Sequence, residues 1–148
     1  MIERVREEDL PDLLPLMRGY CDFYEVAPSD EGLLGMAHAL LSDPLREGVQ
    51  LIARDESSGA AVGFATVFWT WSTLNASRIG VMNDLFVAPD ARGTGVADAL
   101  IEACRAEART HGAVWLGWQT AKDNHRAQKV YDRVGGERSE WIDYGLRP

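Results

Sequence analysis

Cysteine and histidine are nearly missing from this chain of 148 residues. The two cysteines, Cys21 and Cys104, fall in apolar patterns of helical spacing. They read as reduced, buried thiols rather than a disulfide framework. His38, His111 and His125 stand at no metal-ligand spacing to one another or to the cysteines, so no metal is expected. No apolar run approaches the roughly 18 residues of a membrane span, so no membrane partner is expected. The opening residues, MIERVREEDL, are charged and unlike a signal peptide, which makes the cytoplasm the expected location. Basic charge is also in short supply: 15 Lys and Arg stand against 23 Asp and Glu, a net charge of −8. Nucleic acid is not expected as a partner, because binding phosphates needs a basic footprint. Internal repeats, low-complexity tracts and linkers are absent as well.

What remains is ordinary globular material. Hydrophobic residues make up 46% and charged residues 26%, and the length suits one domain, residues 1–148. Residues 2–6 read as a short strand. Asp9 opens a helix to about Tyr24, with Leu10, Leu13, Leu14, Met17, Cys21 and Tyr24 at helical spacing. Pro15 is expected to kink it. Pro28, Ser29 and Asp30 open a second helix that runs through Leu41. Three strands follow at 49–55, 61–71 and 78–87, the last becoming wholly apolar at Leu85, Phe86 and Val87. A glycine-rich loop then leads into a helix whose face is Ala97, Leu100, Ile101, Cys104 and Ala108, and which Gly112 stops. Residues 113–120 read as a strand, 124–134 as a helix and 137–146 as a final strand. The order β-α-α-β-β-β-α-β-α-β predicts an α+β sandwich around a mixed sheet.

The loop Arg92, Gly93, Thr94, Gly95 lies between an apolar strand and a helix that begins at Val96 and Ala97. The first N–H groups of a helix lack partners and the helix dipole is positive there, which suits an anion. Gly93 and Gly95 let the backbone approach a phosphate, and Arg92 adds a forked cationic donor. A dinucleotide fingerprint would need glycine at position 98, where Asp98 stands; this charge would repel a pyrophosphate if it pointed inward. A Walker loop would need Lys followed by Ser or Thr after its second glycine, where Val96 and Ala97 stand. An anion site and a plain tight turn both fit the loop taken alone.

The sequence Arg92-x-x-Gly95-x-Ala97, preceded by Leu85-Phe86-Val87-Ala88-Pro89, resembles the acetyl-CoA motif of the GNAT superfamily of acyl-CoA N-acyltransferases. A second family motif is matched by Asn124, Ala127, Tyr131 and Gly135, one helix and one strand later. The order of elements over the whole chain agrees with the family too. The resemblance implies a mostly antiparallel mixed sheet with helices on both faces. It implies that Leu85, Phe86 and Val87 pair with the pantetheine arm like an added strand. Gly93, Thr94, Gly95, Val96 and Ala97 would cradle the pyrophosphate, Asn124 would contact the pantetheine or acetyl end, and Tyr131 would sit near the sulfur. The family's usual second glycine is here Ala97, an accepted variant. A homodimer is also implied, with Trp141 or Tyr144 as interface candidates; a buried core ring is an equal reading of each.

Acetyl transfer to an amine makes definite demands. Alkyl amines, with a pKa near ~10.4, are mostly protonated at neutral pH and must lose that proton. Asp84, the acid in the strand beside the expected acetyl site, is the candidate base. It reads equally as a strand-end carboxylate paired with Arg78 or a backbone N–H. Asn83 stands where diamine acetyltransferases of this family carry an acid, which weakens a polyamine reading. A backbone N–H near Leu85 is the candidate oxyanion donor. Tyr131, a phenol of ordinary pKa near ~10, can give a proton to a thiolate of pKa near ~8.5. The helical spacing of Ala127, Val130, Tyr131 and Val134 also suits a packed core ring. The acceptor is expected near Tyr20, Tyr24, Trp69 and Trp71, whose rings can hold an apolar or cationic group or simply pack. The expected activity is acetyl-CoA-dependent N-acetylation of a small-molecule or peptide amine. A non-catalytic acyl-CoA-binding sensor or complex subunit is the competing reading.

Overall fold

The computed structural model describes residues 1–148. Its elements are β1 (Ile2–Arg4), α1 (Leu10–Phe23), α2 (Asp30–Ser42), β2 (Gly48–Arg54), β3 (Ala61–Ser72), β4 (Ser77–Val87), α3 (Val96–Thr110), β5 (Leu116–Gly117) and α4 (His125–Arg133). The five strands form one sheet in the order β1-β2-β3-β4-β5. All neighbours are antiparallel except β4 and β5, which are parallel. The α+β class is as expected, and most boundaries fall within two residues of the sequence reading.

Alternation along the strands divides the core into two. Val49, Leu51, Ala53, Ala65, Val67, Trp69 and Met82 pack against Leu100, Ile101, Cys104 and Ala108 of α3, with Val130, Tyr131 and Val134 of α4 at the margin. On the opposite face Ile52, Phe64 and Phe86 meet Leu13, Leu16 and Met17 of α1 and Ala37 of α2. α1 is continuous through Pro15, which lies exposed, so the carbonyl it leaves unbonded can reach water. Asp9 precedes α1 but does not cap it. Its carboxylate turns back to accept from Arg6 N–H at 2.9 Å and pairs with Arg54 at 2.7 Å. Ser29 does cap α2, accepting from Gly32 N–H at 3.0 Å.

Two expectations need correction. The strand foreseen at 113–120 is reduced to Leu116–Gly117. The last strand, foreseen at 137–146, does not form, so the order ends at α4. Its alternating apolar residues find no partner within the chain: Trp141 is 82% exposed and Tyr144 93% exposed. Neither residue is a core ring. An open cleft of about 1650 Å³ has residues of 113–120 on one wall and residues of 137–141 on another.

Candidate active site

The site begins with an irregularity in β4. Thr66 pairs with Asp84 and Val67 pairs with Met82, so Asn83 is an extra residue in the β3–β4 ladder. Such a bulge reverses the side-chain alternation. Met82 therefore belongs to the α3 core, whereas Asp84 and Phe86, of the same parity, face α1. Without Asn83 the carboxylate would point to the opposite face. The bulge also follows the end of β5, which pairs with β4 only at Gly80 and Val81. Beyond it, the outer edge of β4 has no neighbouring strand. Ala88 N–H donates to Val62 O at 2.8 Å, so by antiparallel alternation Asp84 and Phe86 bond inward. Leu85 and Val87 direct their N–H and C=O groups to the free edge.

Asp84 is 6% exposed and forms no ion pair. Burial pushes its pKa above the usual carboxylate value, while the nearby polar groups of Thr66, Asn83 and Tyr20 pull it back in part. Asn83 Nδ2 donates to Asp84 Oδ1 at 3.0 Å. The pairing with Arg78 that the sequence allowed is not made; Arg78 instead lies over the Trp71 ring at 5.1 Å. Tyr20, from α1, hydrogen-bonds to the Asn83 carbonyl at 3.4 Å and meets Tyr24 edge to face at 5.0 Å. Burial, then the charge of Asp84, raises the Tyr20 pKa strongly. Tyr131 is half-buried against Trp118, ring centroids 5.4 Å apart. Burial raises its pKa, so its phenol keeps its proton at neutral pH. Tyr24 and Tyr131 lie close enough that the phenolate form of either would raise the Tyr20 pKa further. Asp84, Tyr20, Tyr24 and Tyr131 thus converge at the free edge of β4.

Trp69 and Trp71 are not part of that group. Trp69 is buried on the α3 face, stacked on His111 at 4.1 Å, with Nε1 donating to Pro44 O at 3.0 Å. Trp71 is exposed and lies five residues along β3 from Thr66, about 16 Å at ~3.3 Å per residue. The sequence showed aromatic residues in the middle strands but not which face they take.

The other end of the site is the start of α3. Gly95 precedes the helix with φ +88° and Gly93 has φ +83°. Both conformations strain any residue with a Cβ. Nothing lies within 4 Å of a Cβ built at either position, so the loop is open to a ligand on that side. Ala99 N–H is the donor that closes the first turn, bonding to Gly95 O at 3.0 Å. The N–H groups of Val96, Ala97 and Asp98 therefore lack helical partners. Thr94 donates from its hydroxyl to Ala91 O at 2.6 Å, and Arg92 Nε donates to Val87 O at 2.9 Å, tying the loop to the end of β4. The Asp98 carboxylate does not enter this space. It forms a two-pronged pair with Arg133 of α4 at 2.8 and 2.7 Å. Asn124 caps α4, its Oδ1 accepting from Ala127 N–H at 3.1 Å, and its Nδ2 remains available. Two polar residues that no sequence motif marks, Gln50 and Thr66, are also buried on the Asp84 face. A lone polar residue inside an apolar strand was the available signal.

Comparison with known proteins agrees with this architecture. The profile of the Acetyltransferase (GNAT) family matches residues 10–136. The chain is 34% identical over 136 residues to the uncharacterized N-acetyltransferase YhfO of Bacillus subtilis (strain 168), covering 92% of this chain and 89% of that protein. It is 36% identical over 83 residues to a D-amino-acid N-acetyltransferase of Saccharomyces cerevisiae, covering 56% and 52%. The crystal structure of a probable acetyltransferase superposes with a TM-score of 0.87 at 31% identity, covering 100% of this chain and 97% of that one. Aminoglycoside acetyltransferase AAC(6')-Iy, solved with a CoA bisubstrate analog, has a TM-score of 0.85 and covers 100% and 97%. Its identity is only 22%, a likeness of fold alone. The chain therefore belongs to the GNAT acetyltransferase family and is an acyltransferase.

Proposed function

We propose that this enzyme transfers the acetyl group of acetyl-CoA to a primary amine of a small molecule or peptide by direct attack on the thioester. The observation that carries the reading is the convergence of Asp84, Tyr20, Tyr24 and Tyr131 beside an unpaired strand edge, with an open helix start at its end. The donor set suits acetyl-CoA. Free N–H groups at Val96 and Ala97 would hold the pyrophosphate, assisted by Gly93, Thr94, Gly95 and Arg92. Leu85 and Val87 would bond the amides of the pantetheine arm as an added strand would, with Phe86 between them, and Asn124 Nδ2 would contact the arm. Bound there, acetyl-CoA supplies an acetyl group activated as a thioester.

The protein's own residues do the rest. Asp84 takes a proton from the ammonium form of the acceptor, leaving a nucleophilic lone pair on nitrogen. Its raised pKa brings it nearer the pKa of the amine, which favours that transfer. The N–H of Leu85 is a fixed donor for the carbonyl oxygen as negative charge grows on it. Tyr131 keeps its proton at Oη and gives or shares it with the departing sulfur. Tyr20 and Tyr24 wall the acceptor side. The test is thiol release from acetyl-CoA with a panel of primary amines. Acetyl-CoA binding without thiol release for any amine would favour the sensor reading.

We also infer a homodimer built on residues 139–146. Support comes from the exposed Trp141, Ile142, Tyr144 and Leu146, the free outer edge of β5 and the cleft between them. A second copy's C-terminal segment would extend the sheet and bury those residues. Light scattering should give a dimer mass, and deletion of 139–148 should give a monomer. A full-length monomer would overturn the inference.

A further inference from the structure

Gln50, Thr66 and Asp84 are direct cross-strand neighbours on β2, β3 and β4. Their side chains form one row on the α1 face, among Ile52, Phe64 and Phe86. The three residues are 4, 0 and 6% exposed. Such a row is costly in a sheet core unless its members satisfy one another. Gln50 Nε2 donates to Thr66 Oγ1 at 3.2 Å, and Thr66 stands directly opposite Asp84 in the ladder, where its hydroxyl pulls the carboxylate's pKa down. A threonine hydroxyl has one proton. With its oxygen accepting from the amide, that proton is free to turn towards Asp84, its partner across the strand. The donors thus run one way, from Gln50 to the carboxylate. This direction leaves Gln50 Oε1 buried without a partner.

The orphaned oxygen becomes useful when Asp84 is protonated. A neutral carboxyl donates where a carboxylate accepts. The row must then run backwards, and Gln50 Oε1 is the acceptor that lets it do so. We propose that Gln50 and Thr66 are positioning residues for Asp84, forming a hydrogen-bond row that orients the carboxylate as proton acceptor and reverses when the proton arrives. The proposal rests on the reading of Asp84 as the base. In the step, an N–H bond of the acceptor ammonium breaks, its electron pair stays on nitrogen, and an O–H bond forms at an Asp84 carboxylate oxygen. The new O–H donates to Thr66 Oγ1, the Thr66 hydroxyl turns towards Gln50, and the amide rotates to present Oε1. One proton is transferred and the other changes are rotations. Gln50 also lines a cavity of about 220 Å³ with Arg4, Arg6, Leu40 and Pro44. That space can hold several waters and hydrate the displaced amide N–H.

The groups facing Asp84 are Asn83 on its own strand, Thr66 on β3 and Tyr20 on α1, with Tyr24 and Tyr131 beyond Tyr20. Carbon-13 NMR of the aspartate carboxyl carbons would follow Asp84 directly in the free enzyme, its resonance assigned by its loss in Asp84→Asn. Thr66→Val keeps the shape and removes the donor. It should raise the Asp84 pKa by about one to two units, the value of a hydrogen bond to a charged group. Thr66→Ser should restore it, and Gln50→Leu should cause a smaller rise. An unmoved titration in folded Thr66→Val overturns the proposal. If Thr66→Val does not fold, an unmoved titration in Gln50→Leu overturns it. Inactive Asp84→Asn with unmoved titrations would sink the row alone. Fully active Asp84→Asn would sink the base and the row together.

Discussion

Replacing Asp84 with Asn keeps the side-chain shape and removes a buried charge. Asp84 is 6% exposed, and burial is the largest influence on its pKa, raising it from the ordinary 3.8. The native state therefore holds this proton at pH values where the unfolded chain has released it. The sign follows from linkage: stability falls as pH rises from 3.8 through the raised native value, and is level above it. Asparagine has no such slope. At pH 7 the variant should melt at the same temperature as the wild type or higher, and any advantage should shrink as pH falls towards 4. Turnover should move the other way. A positioned general base contributes about 10²–10⁴-fold, or ~3–5 kcal/mol of barrier. Acetyl-CoA affinity should hold, because the glycine loop proposed to hold its pyrophosphate starts α3 whereas Asp84 faces α1. The assays are thermal melting across pH, calorimetric titration with acetyl-CoA, and thiol release. A variant that melts well below the wild type at pH 7, or turns over like it, would refute the reasoning.

The remaining predictions touch other parts of the site. Tyr131→Phe should lower turnover by about 10²-fold or more and leave calorimetric acetyl-CoA affinity intact; unchanged turnover removes Tyr131 from the mechanism. Gly95→Ala forces a Cβ into a left-handed conformation and should cost roughly 1–2 kcal/mol in denaturant unfolding, with weaker acetyl-CoA binding. Asp98→Ala should cost at most about 1 kcal/mol, the value of an exposed ion pair. Because the carboxylate faces Arg133, acetyl-CoA affinity should barely change; a large gain would mean that the charge reaches the loop. The acid limb of kcat/KM should lie above the ordinary carboxylate range, and a limb at or below 3.8 would contradict the burial of Asp84.

Much of the fold was legible because its patterns are local. Helical spacing marks α1 and α3, and alternation with β-branched residues marks β2 and β3. Ser29 and Gly95 fix helix starts through their own chemistry. The misreadings share a different cause, which is that direction in space depends on pairing. Leu85, Phe86 and Val87 are all apolar, so nothing local reveals that Asn83 is a bulge and reverses the faces. Trp69 and Thr66 fall on opposite faces of one alternation, and only the packing of α1 and α3 decides which face holds the site. Asp98 lies in the first turn of α3, and Arg133, far along the chain, turns it away from the loop. Residues 137–146 alternate like a strand but have nothing to pair with in a single copy.

The most direct test of the central claim is release of CoA thiol from acetyl-CoA, measured against a panel of primary amines with the acetylated product identified by mass. The account predicts that at least one amine releases thiol in equal amount to acetylated product, and that Asp84→Asn suppresses both while still binding acetyl-CoA. Tight acetyl-CoA binding with no thiol release from any amine would contradict it.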